Sequence, residues 1–289
     1  MTEPSDNPPV VSADREPMSE IRPPHWFQPV ELGELWRARS LMWAMAVRAV
    51  RIRYKQTAVG VLWAVIQPVA TIVVFGVMFN WLRSNPTTSD TPYIATAFCA
   101  MLPWQLFATS VTLSAQSVTN SQQLIRKVYF PRLILPVAPV FTALIDFSIA
   151  FLVLMVVLIC YGIFPSWRLI AVVPLLGVSI LTALAVGMWV SALNAFYRDL
   201  AHAMPFILQI GFLLSPVVYE TNAVVPEEYL HWYALNPMVG VLEGFRWALI
   251  DAQPPSFVAM GISFSVVLVV LITGAYFFRY MEQSFVDRA

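Results

Sequence analysis

Residues 59–82 run for 24 positions without one formal charge, and Arg48, Arg51, Arg53 and Lys55 crowd the approach to them. A helix needs about 20 apolar residues to cross a hydrocarbon core of about 30 Å, so this run is long enough to span. Cations massed at one end mark the end that stays in the cytoplasm. Inside the run Gln67 precedes Pro68, whose ring removes a backbone donor and frees a carbonyl. Such groups need protein or water partners at membrane depth. The span therefore faces something other than lipid.

The rest of the chain agrees with a membrane class. It is 58% hydrophobic and 12% charged, with a mean hydropathy of +0.69, too apolar for a soluble protein of this length. Seventeen cations cancel seventeen anions, so net charge names no partner and gives no sign of nucleic-acid binding. Cys99 and Cys160 both fall in apolar runs with no CxxC or Cys/His cluster. They read as buried, inert thiols, with no disulfide framework and no metal site.

Residues 1–30 are rich in Pro, Asp, Glu and Ser and lack an apolar signal-peptide core, which predicts a mobile cytoplasmic tail. At 100° per residue, Arg37, Arg48, Arg51 and Lys55 form one stripe of residues 31–57, with Met42, Trp43, Val50 and Tyr54 well round the cylinder. This pattern predicts an amphipathic helix in the inner interface, although Arg39 and Arg53 fall off the stripe. Further spans are predicted at 92–118, 133–161, 169–196, 203–219 and 256–278. Hydroxyl residues crowd the second half of the second span and suit close helix packing. Asp146 stands alone in the third, as a hydrogen-bonded or neutral carboxyl facing the bundle rather than part of a proton relay.

Residues 222–252 are predicted to form an outer re-entrant segment. Asn236-Pro237 supplies a cap and a first-turn proline, and the apolar run that follows is too short to cross. The expected fold is all-α: six transmembrane helices, with both termini and the tail 281–289 cytoplasmic. Fourteen of the seventeen cations then lie inside, leaving Arg83, Arg168 and Arg246 outside.

Three separated blocks resemble one family. RYKQTxxGxLWxxxQP in the first span, NSQQLIRKVYFPR in the first cytoplasmic loop and NAFYRDLAHAMPFILQ entering the fifth span resemble the membrane subunits of type-2 ABC exporters. The branch is the one that exports lipid-linked polysaccharides such as O-antigen, capsule and teichoic acid. The resemblance covers roughly residues 40–280. It implies a homodimer in the bacterial inner membrane, two copies of a separate ABC ATPase that bind the ATP and Mg, and a polyprenyl-diphosphate-linked glycan as cargo. It also implies that the loop carrying Asn120, Leu124, Ile125, Arg126, Lys127, Val128, Tyr129 and Phe130 docks the ATPase, aided by Arg198 and Asp199. Packing of these apolar residues on the protein's own helices is the plain alternative.

No phosphate loop, nucleophile elbow, HExxH or paired-carboxylate constellation occurs in the sequence, so no catalytic residue, metal or cofactor is assigned. What remains is aromatic and amide surface. Trp63, Gln67, Phe75 and Phe79 on the first span, with Phe206, Gln209, Phe212 and Tyr219 on the fifth, form a candidate glycan conduit. Sugar rings stack their C–H faces on aromatics, and their hydroxyls bond to amides. Helix–helix bonding accounts equally for Gln67 and Gln209. On the outer segment Asn236, Glu243 and Arg246 form a candidate gate. Glu243 and Arg246 lie on one helix face, as a pair that either pins the helix or yields Arg246 to a phosphate. Export of a small lipid or antibiotic, or glycolipid-enzyme activity, are the competing functions.

Overall fold

The computed structural model describes residues 32–55, helical positions scattered through 62–77, and residues 93–127, 130–164 and 166–282. Every regular element among the described residues is a helix. In chain order these are α1 (Leu32–Arg37), α2 (Arg39–Lys55), α3 (Tyr93–Asn120), α4 (Gln122–Lys127), α5 (Ile134–Cys160) and α6 (Val172–Phe196). Then come α7 (Asp199–Leu214), α8 (Thr221–Val224), α9 (Leu230–Tyr233), α10 (Pro237–Ile250) and α11 (Phe257–Glu282).

Four of the described helices, 94–120, 134–160, 167–196 and 257–282, are long and apolar enough to cross a membrane. They coincide with the second, third, fourth and sixth expected spans. Of the first span, residues 62, 65–67, 69–71, 73, 74 and 77 are described, and all are helical.

Helix α3 is the centre of the bundle: 72% of its apolar window is buried, against 17–33% for the other three. It packs on α5, α6, α7 and α10. Lipid is as apolar as leucine, so such helices associate through close packing and interhelical hydrogen bonds. The hydroxyls of α3 serve that purpose. Ser114 donates to the Pro136 carbonyl at 2.9 Å, and Ser117 meets Ser191 at 3.1 Å. A Cβ on Gly187 would lie 3.1 Å from Ser114, so a glycine is what lets α6 approach. On the far side of α6, a Cβ on Gly274 would come within 2.8 Å of Trp189 and 2.9 Å of the Ala185 carbonyl.

Three expectations need correction. The fifth helix ends at Leu214, not 219, because Ser215 precedes Pro216 and is driven to extended backbone (φ −100°, ψ 150°). Tyr219 therefore lies in the turn beyond it. Asp146 does not stand alone: its Oδ2 lies 2.8 Å from an Arg53 guanidinium nitrogen. Helix α2 packs across α5, with Trp43 edge-on to Phe141, and this brings the off-stripe Arg53 to the carboxylate. Cys99 is buried as expected, but Cys160 is exposed at the C-terminal end of α5.

Candidate functional site

Three regions carry the residues singled out from the sequence. In the first loop, α3 breaks at Asn120 and α4 follows after one turn residue. Asn120 and Lys127 are exposed and Leu124 is half-buried. Ile125 and Phe130 point inward, at 8% and 5% exposure, into a core with Leu133, Ile134, Met188, Ala192 and Phe278. These two take the self-packing alternative. Arg132 is likewise engaged, with its guanidinium on the Glu282 carbonyl oxygen and carboxylate. The FPR end of the block thus anchors the loop to α6 and α11, and its exposed face includes Asn120, Gln123 and Lys127. Arg126 falls on α4, while Val128 and Tyr129 lie outside the described residues.

The neighbouring loop is built on Asn194, which no sequence argument had singled out beyond its place in the resemblance block. Buried at 1% exposure, its amide donates to the Ala115 carbonyl and its oxygen accepts from the Ala201 N–H, both at 2.8 Å. One side chain therefore ties α3, α6 and the start of α7. Arg198 and Asp199 stand exposed on the turn it secures.

The second region is the face of α7. Only Met204 of this helix is buried; Phe206, Ile207, Gln209, Ile210, Leu213 and Leu214 are exposed. Phe212 instead turns onto α3, its ring 6.0 Å from that of Trp104. Thr71 of the first span lines a narrow cleft with Phe98, Phe212 and Val217, so the first and fifth spans are neighbours. Gln67 on the first span is exposed, like Gln209. Trp63, Phe75 and Phe79 lie outside the described residues.

The third region is the outer segment. Asn236 caps α10 as expected, its oxygen accepting from the Met238 N–H at 3.1 Å, while its amide donates to Ser215 at 2.9 Å. The last carbonyls of α7 are met by phenols. Tyr233 donates to Leu214 at 3.0 Å and meets the Tyr219 hydroxyl at 2.8 Å. Burial, then the hydrogen bond shared with Tyr219, pushes the Tyr233 phenol up from its ordinary value.

Arg246 is 4% exposed. Its three guanidinium nitrogens donate to the carbonyls of Thr96 (3.2 Å), Tyr219 (3.0 Å) and Val217 (2.8 Å). An arginine held this way is a clamp joining α3, the 215–219 turn and α10. Of the two roles left open by the sequence, the geometry favours pinning over phosphate capture. Glu243, one turn away, has its carboxyl pushed up by burial, with Thr221 and Arg246 pulling the other way. Both Glu243 and Arg246 face a cavity of about 600 Å³ between α10 and the 251–259 connection.

The family profile described as ABC-2 type transporter matches residues 40–250, most of the chain. The chain belongs to this membrane family. It is similar to the O-antigen export system permease protein RfbA of Myxococcus xanthus, 26% identical over 88% of this chain and 97% of that protein. A Klebsiella pneumoniae protein of the same name is 27% identical over 68% of this chain and 74% of its own length. The polysialic acid transport protein KpsM of Escherichia coli is 20% identical over 83% and 93%. Family membership carries with it a place in the membrane and an ABC ATPase partner.

Proposed function

We propose that the chain is the membrane half of an ATP-driven exporter that moves a lipid-linked cell-surface polysaccharide, with O-antigen the leading cargo, out of the cytoplasm. What carries the cargo class is the similarity, over nearly their whole length, to proteins named for O-antigen export and polysialic acid transport. In this reading the chain has six spans in the bacterial inner membrane, both termini cytoplasmic, and no catalysis of its own. ATP and Mg are bound by two copies of a separate ATPase.

Two copies of the chain complete the conduit. Gln67 and Gln209 are exposed at positions flanked by apolar residues. An amide facing hydrocarbon loses hydrogen bonds at a cost of several kcal/mol, roughly 4–8 on an alkane scale. A polar conduit at the two-fold axis removes that cost, and the exposed Phe206 beside Gln209 offers a stacking face to sugar rings.

The test is loss of the chain in its native host. Surface glycan should disappear while lipid-linked glycan accumulates inside, and expression of the wild-type chain should restore export. Unchanged surface glycan refutes the cargo. In membranes, a Gln209→Cys chain should crosslink to a second copy carrying Gln67→Cys, and failure at every neighbouring pair refutes the two-fold conduit.

A further inference from the structure

The outer cavity has a lining that the clamp and the cap do not explain. At about 600 Å³ it falls within the range of about 300–1,000 Å³ typical of small-molecule sites. Its walls combine the carboxyl groups of Glu220, Glu243 and Asp251 with the hydroxyls of Thr221, Tyr233 and Ser256, and Pro254 and Pro255 lend apolar surface. Thr221 is 4% exposed, and its hydroxyl faces the Glu243 carboxyl without a hydrogen bond of standard geometry. A hydroxyl and a carboxyl so placed at the wall of a cavity this size keep hydrogen-bonding capacity for a ligand.

The chemistry of the walls narrows the ligand. A phosphate is disfavoured: each guanidinium nitrogen of Arg246 already donates to a carbonyl, and the carboxyl groups of Glu220, Glu243 and Asp251 face the same space. No group of His, Cys, Asp and Glu suited to a metal ion occurs among the described residues. A lipid tail would strand the hydroxyls and carboxyls without partners. A neutral ring with several hydroxyls satisfies all of them. Carboxylate oxygens accept from sugar hydroxyls, threonine and tyrosine hydroxyls both donate and accept, and the prolines meet C–H faces.

We propose that this cavity is a saccharide-binding site that holds a neutral pyranose unit on the outer face, between α10 and the start of α11. It rests on the exporter reading only for the source of the sugar, which is then a unit of the emerging glycan rather than a free saccharide. The site would grip the cargo after passage and oppose its return.

The full-length chain in lipid nanodiscs is tested by saturation-transfer NMR with D-mannose, D-galactose, D-glucose and N-acetyl-D-glucosamine, each at millimolar concentration. At least one should receive saturation. Ala259→Trp, which fills the cavity, should abolish the signal. Thr221→Val should reduce it at least threefold while leaving the unfolding temperature close to that of wild type, because the hydroxyl it removes has no well-aligned protein partner. A merely structural Thr221 would leave the sugar signal intact. Inorganic phosphate should not compete. No saturation with any of the four sugars, signals unchanged in both variants, or displacement by phosphate overturns the proposal. Delayed surface glycan in Thr221→Val cells identifies the glycan as the source; normal export with lost binding identifies a free saccharide and overturns the grip on cargo. Loss of the whole chain tests the exporter reading separately, since saccharide binding by a chain whose loss leaves surface glycan unchanged overturns that reading and not the site.

Discussion

Replacing Arg246 by methionine should damage the outer segment before anything else. The change keeps an unbranched side chain of helical propensity close to that of arginine but removes all three donors, at 2.8, 3.0 and 3.2 Å. Hydrogen bonds from a charged group contribute about 1.5–3 kcal/mol each, so the three set a ceiling of about 4–9 kcal/mol. Relief of the buried charge and entry of water from the adjoining cavity offset part of this, leaving a loss of about 3–5 kcal/mol. At roughly 2–4 °C per kcal/mol, the unfolding temperature of the purified protein should fall by about 6–20 °C. Arg246→Lys should fall between, since one ammonium lacks the planar fork that reaches three acceptors. Hydrogen exchange followed by mass spectrometry supplies a local readout: amides of residues 215–221 should exchange faster, while those of 172–196 stay protected. A methionine variant that melts within 1 °C of wild type, with unchanged exchange at 215–221, would refute the clamp.

Gly274→Ala should lower thermal stability and yield, because its new Cβ meets the Ala185 carbonyl oxygen as well as Trp189; Gly261→Ala, with open space around it, should match wild type. Breaking the α2–α5 contact with Arg53→Glu should increase proteolysis of residues 32–55 in membranes, and the swap with Asp146→Arg should restore protection; equal cleavage in both variants removes the pair from the account. At the cytoplasmic loop, Lys127→Glu should leave the chain folded but reduce co-purification of its ATPase several-fold, whereas Phe130→Asp should fail at folding because it buries a carboxylate in an apolar core. Full ATPase recovery with Lys127→Glu would move the docking face elsewhere. Glu243→Gln should melt no lower than wild type near neutral pH. A carboxyl raised by burial gives a folded state that loses stability as pH rises from its unfolded value of 4.5, and the neutral amide avoids that loss.

Long apolar runs made four spans legible from hydropathy, and Asn236-Pro237 announced the start of α10 because cap and proline act locally. The fifth span was misplaced by a signal that was also local: Ser215-Pro216 breaks a helix, but valines beyond it kept the run apolar. Asp146 and Arg53 lie 93 positions apart and meet only because α2 crosses α5, which no periodicity encodes. Ile125 and Phe130 illustrate a different limit. An apolar residue in a loop has the same composition whether it packs on its own bundle or on a partner, and only burial separates the two. The role of Arg246 was hidden for a related reason. Its partners are main-chain carbonyls, which every residue possesses, so side-chain identity cannot reveal where they converge.

Helix α7 has 16 residues, which at 1.5 Å per residue is about 24 Å, short of a hydrocarbon core of about 30 Å. Non-helical backbone at membrane depth is tolerated only where protein or water satisfies it. Residues 215–217 are buried, and Arg246 supplies donors to the carbonyls of Val217 and Tyr219. The arginine thus stands in for the missing last turn. A bilayer that matches this abbreviated helix must be thinner beside it than elsewhere, so an amphiphile's headgroup would have less hydrocarbon to cross there. The rate of passage should then depend on the acyl-chain length of the surrounding lipid.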